Sequence, residues 1–280
     1  MRLGQLKWNG VVTAAIFENG SGRPIPEYNL HELICRAEKE RAELPALASR
    51  LASSQRVEAK PIIPLSPREV WGAGCTYASS ASFRDAEHGT REGFYAHVHR
   101  EERPEIFLKG TARICVGPGQ SIGLRPDAKF TAPEPELVLV LGAKGKIVGY
   151  TIGNDVSAWD IERENPLYLP QSKIFTGCCA LGPVVVTADE IADPYNLRMT
   201  CTIERAGQTL FTGETSTAAL CRKFETLIEF LLRANPVPAG SVLLTGTGII
   251  APHDAALEPG DVVSITIPEI GTLSNTAARV

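Results

Sequence analysis

Residues 133–141 read Pro-Glu-Pro-Glu-Leu-Val-Leu-Val-Leu, and no other segment restricts the fold so tightly. Five aliphatic residues in a row, with no polar position to face water, predict a strand buried on both faces. Proline cannot donate to a ladder, so two of them suit only the beginning of a strand or a sheet edge. That puts Glu134 and Glu136 at the rim of the sheet. Side chains alternate along a strand, so the two glutamates share a side while Pro135 points away. The chain turns at Ala143-Lys144-Gly145-Lys146 and returns through 147–152 to Gly153-Asn154-Asp155. If Leu141 pairs with Ile147, residue 134 lies opposite about residue 154, and Asp155 falls beside Glu134. Three carboxylates at one strand end repel each other unless a cation or protons neutralise them. A hard divalent ion with oxygen ligands is the natural occupant. The Glu-x-Glu pair alone reads equally as solvated acids flanking a strand; the returning Asn-Asp is what favours a site.

With 44% apolar and 21% charged residues, the 280-residue chain can bury a sizeable core. A net charge of −4 and the absence of any Lys/Arg run argue against nucleic-acid partners and against a membrane surface. No apolar stretch approaches the roughly 20 residues that span a bilayer. The opening MRLGQLKWNG has no secretory apolar core, so a cytoplasmic protein is expected. Its seven cysteines are scattered without a C-x-x-C pair and read as reduced, mostly buried thiols.

Two strands, 2–8 and 11–17, flank an Asn9-Gly10 turn. Asn29 is placed to cap a helix carrying Leu30, Leu33, Ile34 and Ala37, and a second helix is expected over 44–54. Pro61, Pro64 and Pro67 then form a stiff connector. Beyond it short β-type runs dominate: 105–109, 137–141, 147–152, 184–186, 199–204, 242–245 and 262–267. One helix, 218–234, interrupts them with Leu220, Phe224, Leu227, Ile228 and Leu231 on its buried face. The expected class is α+β: a small N-terminal α+β domain, 1–65, and a β-rich mixed domain, 66–280.

The chain resembles the fumarylacetoacetate hydrolase superfamily over roughly residues 70–275. The likeness rests on Gly74-Cys75-Thr76-Tyr77-Ala78, Phe107-Leu108-Lys109-Gly110, Val116-Gly117-Pro118-Gly119, the Glu-x-Glu strand, GYTIGNDVSAWD at 149–160, Gly182-Pro183 and LTGTGI at 244–249. It implies a β-roll catalytic fold, Mg²⁺ or Mn²⁺ on Glu134, Glu136 and Asp155, and a homodimer. Segments 103–109 and 162–183 look most like the sugar-acid branch, which dehydrates 2-keto-3-deoxypentonates to 2-oxoglutarate semialdehyde. The superfamily's hydrolases use a His–Glu dyad just after the Gly-x-x-Tyr-Ala motif. Read without gaps, Ser80 and Phe83 stand there, and neither is a general base near neutral pH. An insertion that brought Asp85, Glu87 or His88 into place would restore a dyad.

Dehydration needs a metal to hold a 2-oxo acid by its carboxylate and keto oxygen, a base for the C3 proton and an acid for the departing C4 hydroxyl. Lys173 and Glu105 are the candidates for these two jobs, with their roles unassigned. Near a divalent ion and partly desolvated, Lys173 is expected to have a lowered pKa and an accessible neutral amine. Its alternative role is electrostatic, holding the substrate carboxylate; the alternative for Glu105 is a surface residue opening a strand. Thr247 offers a hydroxyl to a substrate carboxylate or marks a plain glycine turn. Lys109 is expected among the substrate-binding residues, pairing with Glu134 or Glu136, or else at the surface. Tyr77 donates to a sugar hydroxyl or simply packs. Trp159 stands where many superfamily members have arginine, which suits a substrate without a second anionic group. His97-x-His99 has strand-type metal spacing but no third ligand, and 80–103 reads as a polar lid. Two competing functions remain: a hydrolase or decarboxylase of acylpyruvate or diketo acids, and a binding protein that kept the fold.

Overall fold

The hairpin anticipated around 133–155 forms the middle of a large mixed sheet in a computed structural model that describes residues 1–78 and 94–280. From edge to edge the sheet runs Val57–Glu58 (β4), Ser21–Ile25 (β3), Val11–Glu18 (β2), Arg2–Trp8 (β1), Cys179–Thr187 (β13), Ile147–Asp155 (β11), Pro135–Leu141 (β10), Ser241–Leu244 (β16), Val70–Gly74 (β5) and Glu105–Gly110 (β6). Cys115–Val116 (β7) pairs in parallel with β13, and β16 with β5; the other neighbours are antiparallel. A second sheet holds Gln208–Ser216 (β15), Arg198–Arg205 (β14), Val262–Ile267 (β17), Gly271–Arg279 (β18) and Ser121–Leu124 (β8). A short ladder joins Thr131–Ala132 (β9) to Ser157–Ala158 (β12). Every residue of β10 is buried, as its unbroken aliphatic run requires.

Leu141 does pair with Ile147, but a bulge follows between Val140 and Leu141. It adds one residue to the register, so Pro135 faces Asn154, and the Asp155 amide donates to the Glu134 carbonyl (2.9 Å). The bulge therefore moves Asp155 directly opposite Glu134.

Near the N-terminus, Asn9 and Gly10 take φ of 49° and 80°, the left-handed pair of a tight hairpin turn. Helix α1 (Leu30–Glu40) starts with a capping box in which Asn29 and Glu32 satisfy each other's backbone amides. Replacing Asn29 with alanine should lower the unfolding free energy by about 1 kcal/mol, read as a shift in the urea midpoint. Helix α2 (Leu44–Leu51) stops three residues before the expected end, 54. The small N-terminal domain expected over 1–65 does not have a sheet of its own. Arg2 and Leu3 of β1 pair with Val186 and Val185 of β13, so the first strands continue the large sheet. Gln5, 1% exposed, accepts from the Leu30 amide and donates to the Ile63 carbonyl, tying α1 and the proline-rich connector to β1.

Two more expectations need correction. The helix predicted over 218–234 is α6, Phe224–Leu232. Leu220 instead bridges Tyr77, and the Cys221 amide donates to the Thr76 carbonyl (2.9 Å); these contacts hold the preceding residues out of the helix. His97 and His99 lie not on a strand but on helix α3 (Phe94–Arg100), where His99 Nδ1 contacts the Cys75 carbonyl at 2.8 Å. Ser80, Phe83, Asp85, Glu87 and His88 fall outside the described residues, as does part of the 80–103 segment. All seven cysteines are free thiols.

Candidate metal centre and active site

Glu134, Glu136 and Asp155 are 3%, 2% and 1% exposed, and each offers an oxygen within 4.8 Å of the other two. The backbone explains the convergence. Glu134 and Glu136 share a side of the β10 end, and its hairpin partner β11 delivers Asp155 beside them. The Glu134 amide is also held by Asn154 Oδ1 (3.0 Å).

Two buried lysines close on this acidic cluster. Helix α4 (Trp159–Glu164) leads by a 3-10 turn into helix α5 (Leu169–Lys173), whose last residue turns inward. Lys173 Nζ lies 2.9 Å from each oxygen of Glu134, 3.3 Å from Asp155 Oδ2 and 2.7 Å from Ser157 Oγ. That set of oxygens suits an ammonium, not the neutral amine anticipated from the sequence. Lys109, at the end of β6, does not pair with either glutamate. Its Nζ meets Asp155 Oδ1 and donates to the Val156 carbonyl (2.9 Å). Burial pulls the Lys109 pKa down, but Asp155 and Cys178 together hold it above the ordinary lysine value.

Three carboxylates and two ammonium groups leave one negative charge in a buried site. Glu136 bears the imbalance: burial, then Asp155 and Glu134, push its carboxyl well above the usual carboxylate range. Its Oε2 accepts from the Gly246 amide (2.6 Å). Gly246 has φ +93°, and a Cβ there would lie 2.0 Å from Thr76 Oγ1, so only glycine lets this amide reach the carboxylate. A donor set of three acidic oxygens with an unneutralised charge fits a hard divalent cation, with all three side chains as ligands.

Glu134, Asp155 and Lys173 line a small space of about 10 Å³ with Gly74, Cys75, Phe107, Gly246 and Thr247. Thr247 thus borders the cluster, although its hydroxyl is already engaged with the Ile249 carbonyl (3.1 Å) and amide (3.2 Å). Tyr77 is 1% exposed, and its hydroxyl has no hydrogen-bond partner among the described residues. Burial, then Glu136, raises its pKa, so the phenol stays protonated and able to donate.

Glu105 stands apart from the grouping of Glu134, Glu136 and Asp155. It opens β6 opposite Gly74, accepts from Cys75 Sγ (3.4 Å), and comes so near Gly74 that a Cβ there would lie 2.1 Å from its Oε2. It lines a larger cavity of about 470 Å³ with Glu101, Arg103, Glu162, Pro166 and Leu169. Glu105 therefore lines the roomier cavity and also touches Gly74 and Cys75, which line the space at the acidic cluster. Another hollow, about 610 Å³ between α1, α2 and the Ala143–Lys146 turn, has no comparable grouping of acids among the described residues.

The sequence reading missed Ser157 as a partner of Lys173, and it read Trp159 only as a lost cation. In the structure the Trp159 indole N–H donates to Glu134 Oε1 at 2.6 Å. A signal was available: 155, 157 and 159 are spaced by two, so an extended chain turns them to one side.

The chain belongs to the fumarylacetoacetate hydrolase family; the model of that family's C-terminal domain matches residues 69–278. Among curated relatives, 2-dehydro-3-deoxy-D-arabinonate dehydratase of Saccharolobus solfataricus is 49% identical over 213 residues, covering 75% of this chain and 72% of the relative. A protein of Haloferax volcanii described as a probable 2-keto-3-deoxyxylonate dehydratase is 44% identical over 218 residues, 78% of this chain and 75% of its own. A solved structure of 2-keto-3-deoxy-D-arabinonate dehydratase, complexed with magnesium and 2,5-dioxopentanoate, superposes with a TM-score of 0.85 at 39% identity, covering 100% of this chain and 99% of that one.

Proposed function

We propose that this chain is a magnesium-dependent hydro-lyase that removes water from a 2-keto-3-deoxypentonate and yields 2-oxoglutarate semialdehyde, which is 2,5-dioxopentanoate. The buried cluster of Glu134, Glu136 and Asp155 carries the reading, together with relatives named for this reaction. Magnesium, when bound, supplies Lewis-acid stabilisation of negative charge building on the 2-keto oxygen. A divalent ion and a substrate monoanion together bring the charge of the cluster to zero.

Glu105 takes the C3 proton. It is a carboxylate not committed to the metal, and it stands where the larger cavity adjoins the cluster. Lys173 gives a proton to the departing C4 hydroxyl, because its ammonium already sits among the ligating oxygens. The C3–H and C4–O bonds break and one water leaves; the unsaturated product then tautomerises to the aldehyde without net gain or loss of atoms. Tyr77 and Thr247 orient the substrate at the cluster, and Lys109 holds Asp155 in place. The cavity beside Glu105 takes the hydroxylated tail.

No helix among the described residues is long and apolar enough to cross a membrane, and seven free thiols suit a reducing compartment. The reading therefore includes a cytoplasmic location. The family resemblance supports a homodimer acting on a small molecule, with residues 1–65 as an N-terminal region built onto the large sheet of the catalytic domain.

The test supplies 2-keto-3-deoxy-D-arabinonate and Mg²⁺ and follows 2,5-dioxopentanoate. Turnover is expected, and Glu105→Gln should cut kcat by about 10²- to 10⁴-fold while Mg²⁺ still binds. Pyruvate released from acylpyruvates, with no dehydration, would instead make the protein a hydrolase.

A further inference from the structure

We infer that Trp159 is a positioning residue for the metal centre: its indole N–H fixes Glu134 as a ligand without adding charge. The inference rests on the proposed magnesium site. Trp159 and Glu134 are 7% and 3% exposed, and Trp159 Nε1 donates to Glu134 Oε1 at 2.6 Å. The same oxygen accepts from Lys173 (2.9 Å). Lys173 also reaches Oε2 (2.9 Å), so donors from two different elements fix the plane of the carboxylate.

The indole is itself held on several sides. Its backbone amide donates to the Phe130 carbonyl (2.9 Å), and the Phe130 ring meets it edge-on with centroids 5.4 Å apart. The Arg163 guanidinium lies 4.7 Å from the Phe130 centroid and 5.7 Å from that of Trp159. Arg163 also reaches His253 Nε2 (2.8 Å), and His253 stacks on the other ring, Phe130, at 4.6 Å. Phe130, Ala132 and Trp159 form a small apolar cluster separate from the main core. From this cluster, outside the main core, the indole aims its N–H at Glu134.

The kind of donor matters as much as its position. An indole N–H is neutral and cannot ionise at ordinary pH, so it leaves the net negative charge of the cluster for a divalent ion. A guanidinium at 159 would instead add a positive charge beside Glu134.

Magnesium titration of the chelator-stripped protein by calorimetry tests the inference with two variants. Trp159→Phe removes the N–H and some volume. Trp159→benzothienylalanine removes the N–H but keeps the bicyclic shape. Both should weaken Mg²⁺ binding by about tenfold or more, with an unchanged circular dichroism spectrum, as the loss of a partner that orients a ligand does. Excess Mg²⁺ should restore most of the turnover, a split that loss of packing would not produce. If the benzothienylalanine variant binds Mg²⁺ as the parent does, the indole only packs and the inference falls. If the parent itself binds no Mg²⁺, the proposed metal centre fails and this inference with it.

Discussion

Replacing Lys173 with methionine should reduce turnover by roughly 10²- to 10⁴-fold while leaving Mg²⁺ binding intact or stronger. The residue combines two roles that this pairing of measurements separates. As the proposed proton donor it acts only during reaction. As a buried cation it neutralises Glu134 and Asp155 before the metal arrives. Its removal leaves Glu134 in the metal-free cluster without this cation, and breaking a buried ion pair from one side costs about 3–5 kcal/mol. The metal-free variant should therefore melt well below the parent. Mg²⁺ should raise its Tm by more than it raises the parent's, since the ion takes over the missing positive charge. A variant that keeps its turnover would remove Lys173 from the chemistry.

Glu136→Gln should have the opposite profile: Mg²⁺ affinity falls by more than about 100-fold, beyond the cost of losing an outer partner, while the metal-free fold is spared. Glu136 holds its proton more tightly in the fold than in the unfolded chain, because burial and then Asp155 and Glu134 penalise its charge. Between the ordinary carboxylate value and the raised one, the folded protein binds more protons than the unfolded one. The stability of the metal-free protein from this group is thus present at low pH and lost as pH rises across that window. Glutamine has no such proton, so its pH–stability curve should be flatter there. Mg²⁺ binding to the parent should displace the proton and strengthen with pH. Calorimetry in buffers of different ionisation enthalpy would detect the released proton, and its absence would show that Glu136 is already ionised.

Much of this site could be read from a single strand. The 137–141 run and two prolines were enough to put Glu134 and Glu136 at a buried strand end, and a hairpin count brought Asp155 within a residue of its place. Local periodicity carries such information because strand geometry repeats every two residues. The bulge that completes the alignment left no mark in the sequence. Lys109 was assigned the wrong carboxylate for a related reason: it arrives on β6, three strands away from β10, and its partner depends on how those strands stack. The 218–234 helix was overextended because tertiary pairing of Leu220 with Tyr77 overrode a good helical pattern. Trp159 was read through the charge it lacks, when what it offers Glu134 is a hydrogen bond.

The seam between β1 and β13 limits how this enzyme can be cut. Family likeness begins at residue 69, which invites a shortened version starting there. Such a chain would strip β1 to β4 from the sheet and turn β13, an interior strand, into an open edge lined by Val184, Val185 and Val186. Exposed, apolar and unpaired edges recruit strands from other molecules. The minimal catalytic fragment suggested by similarity would therefore precipitate, and any shuffling of modules in this family has to carry the N-terminal hairpin along or supply another strand to cover that edge.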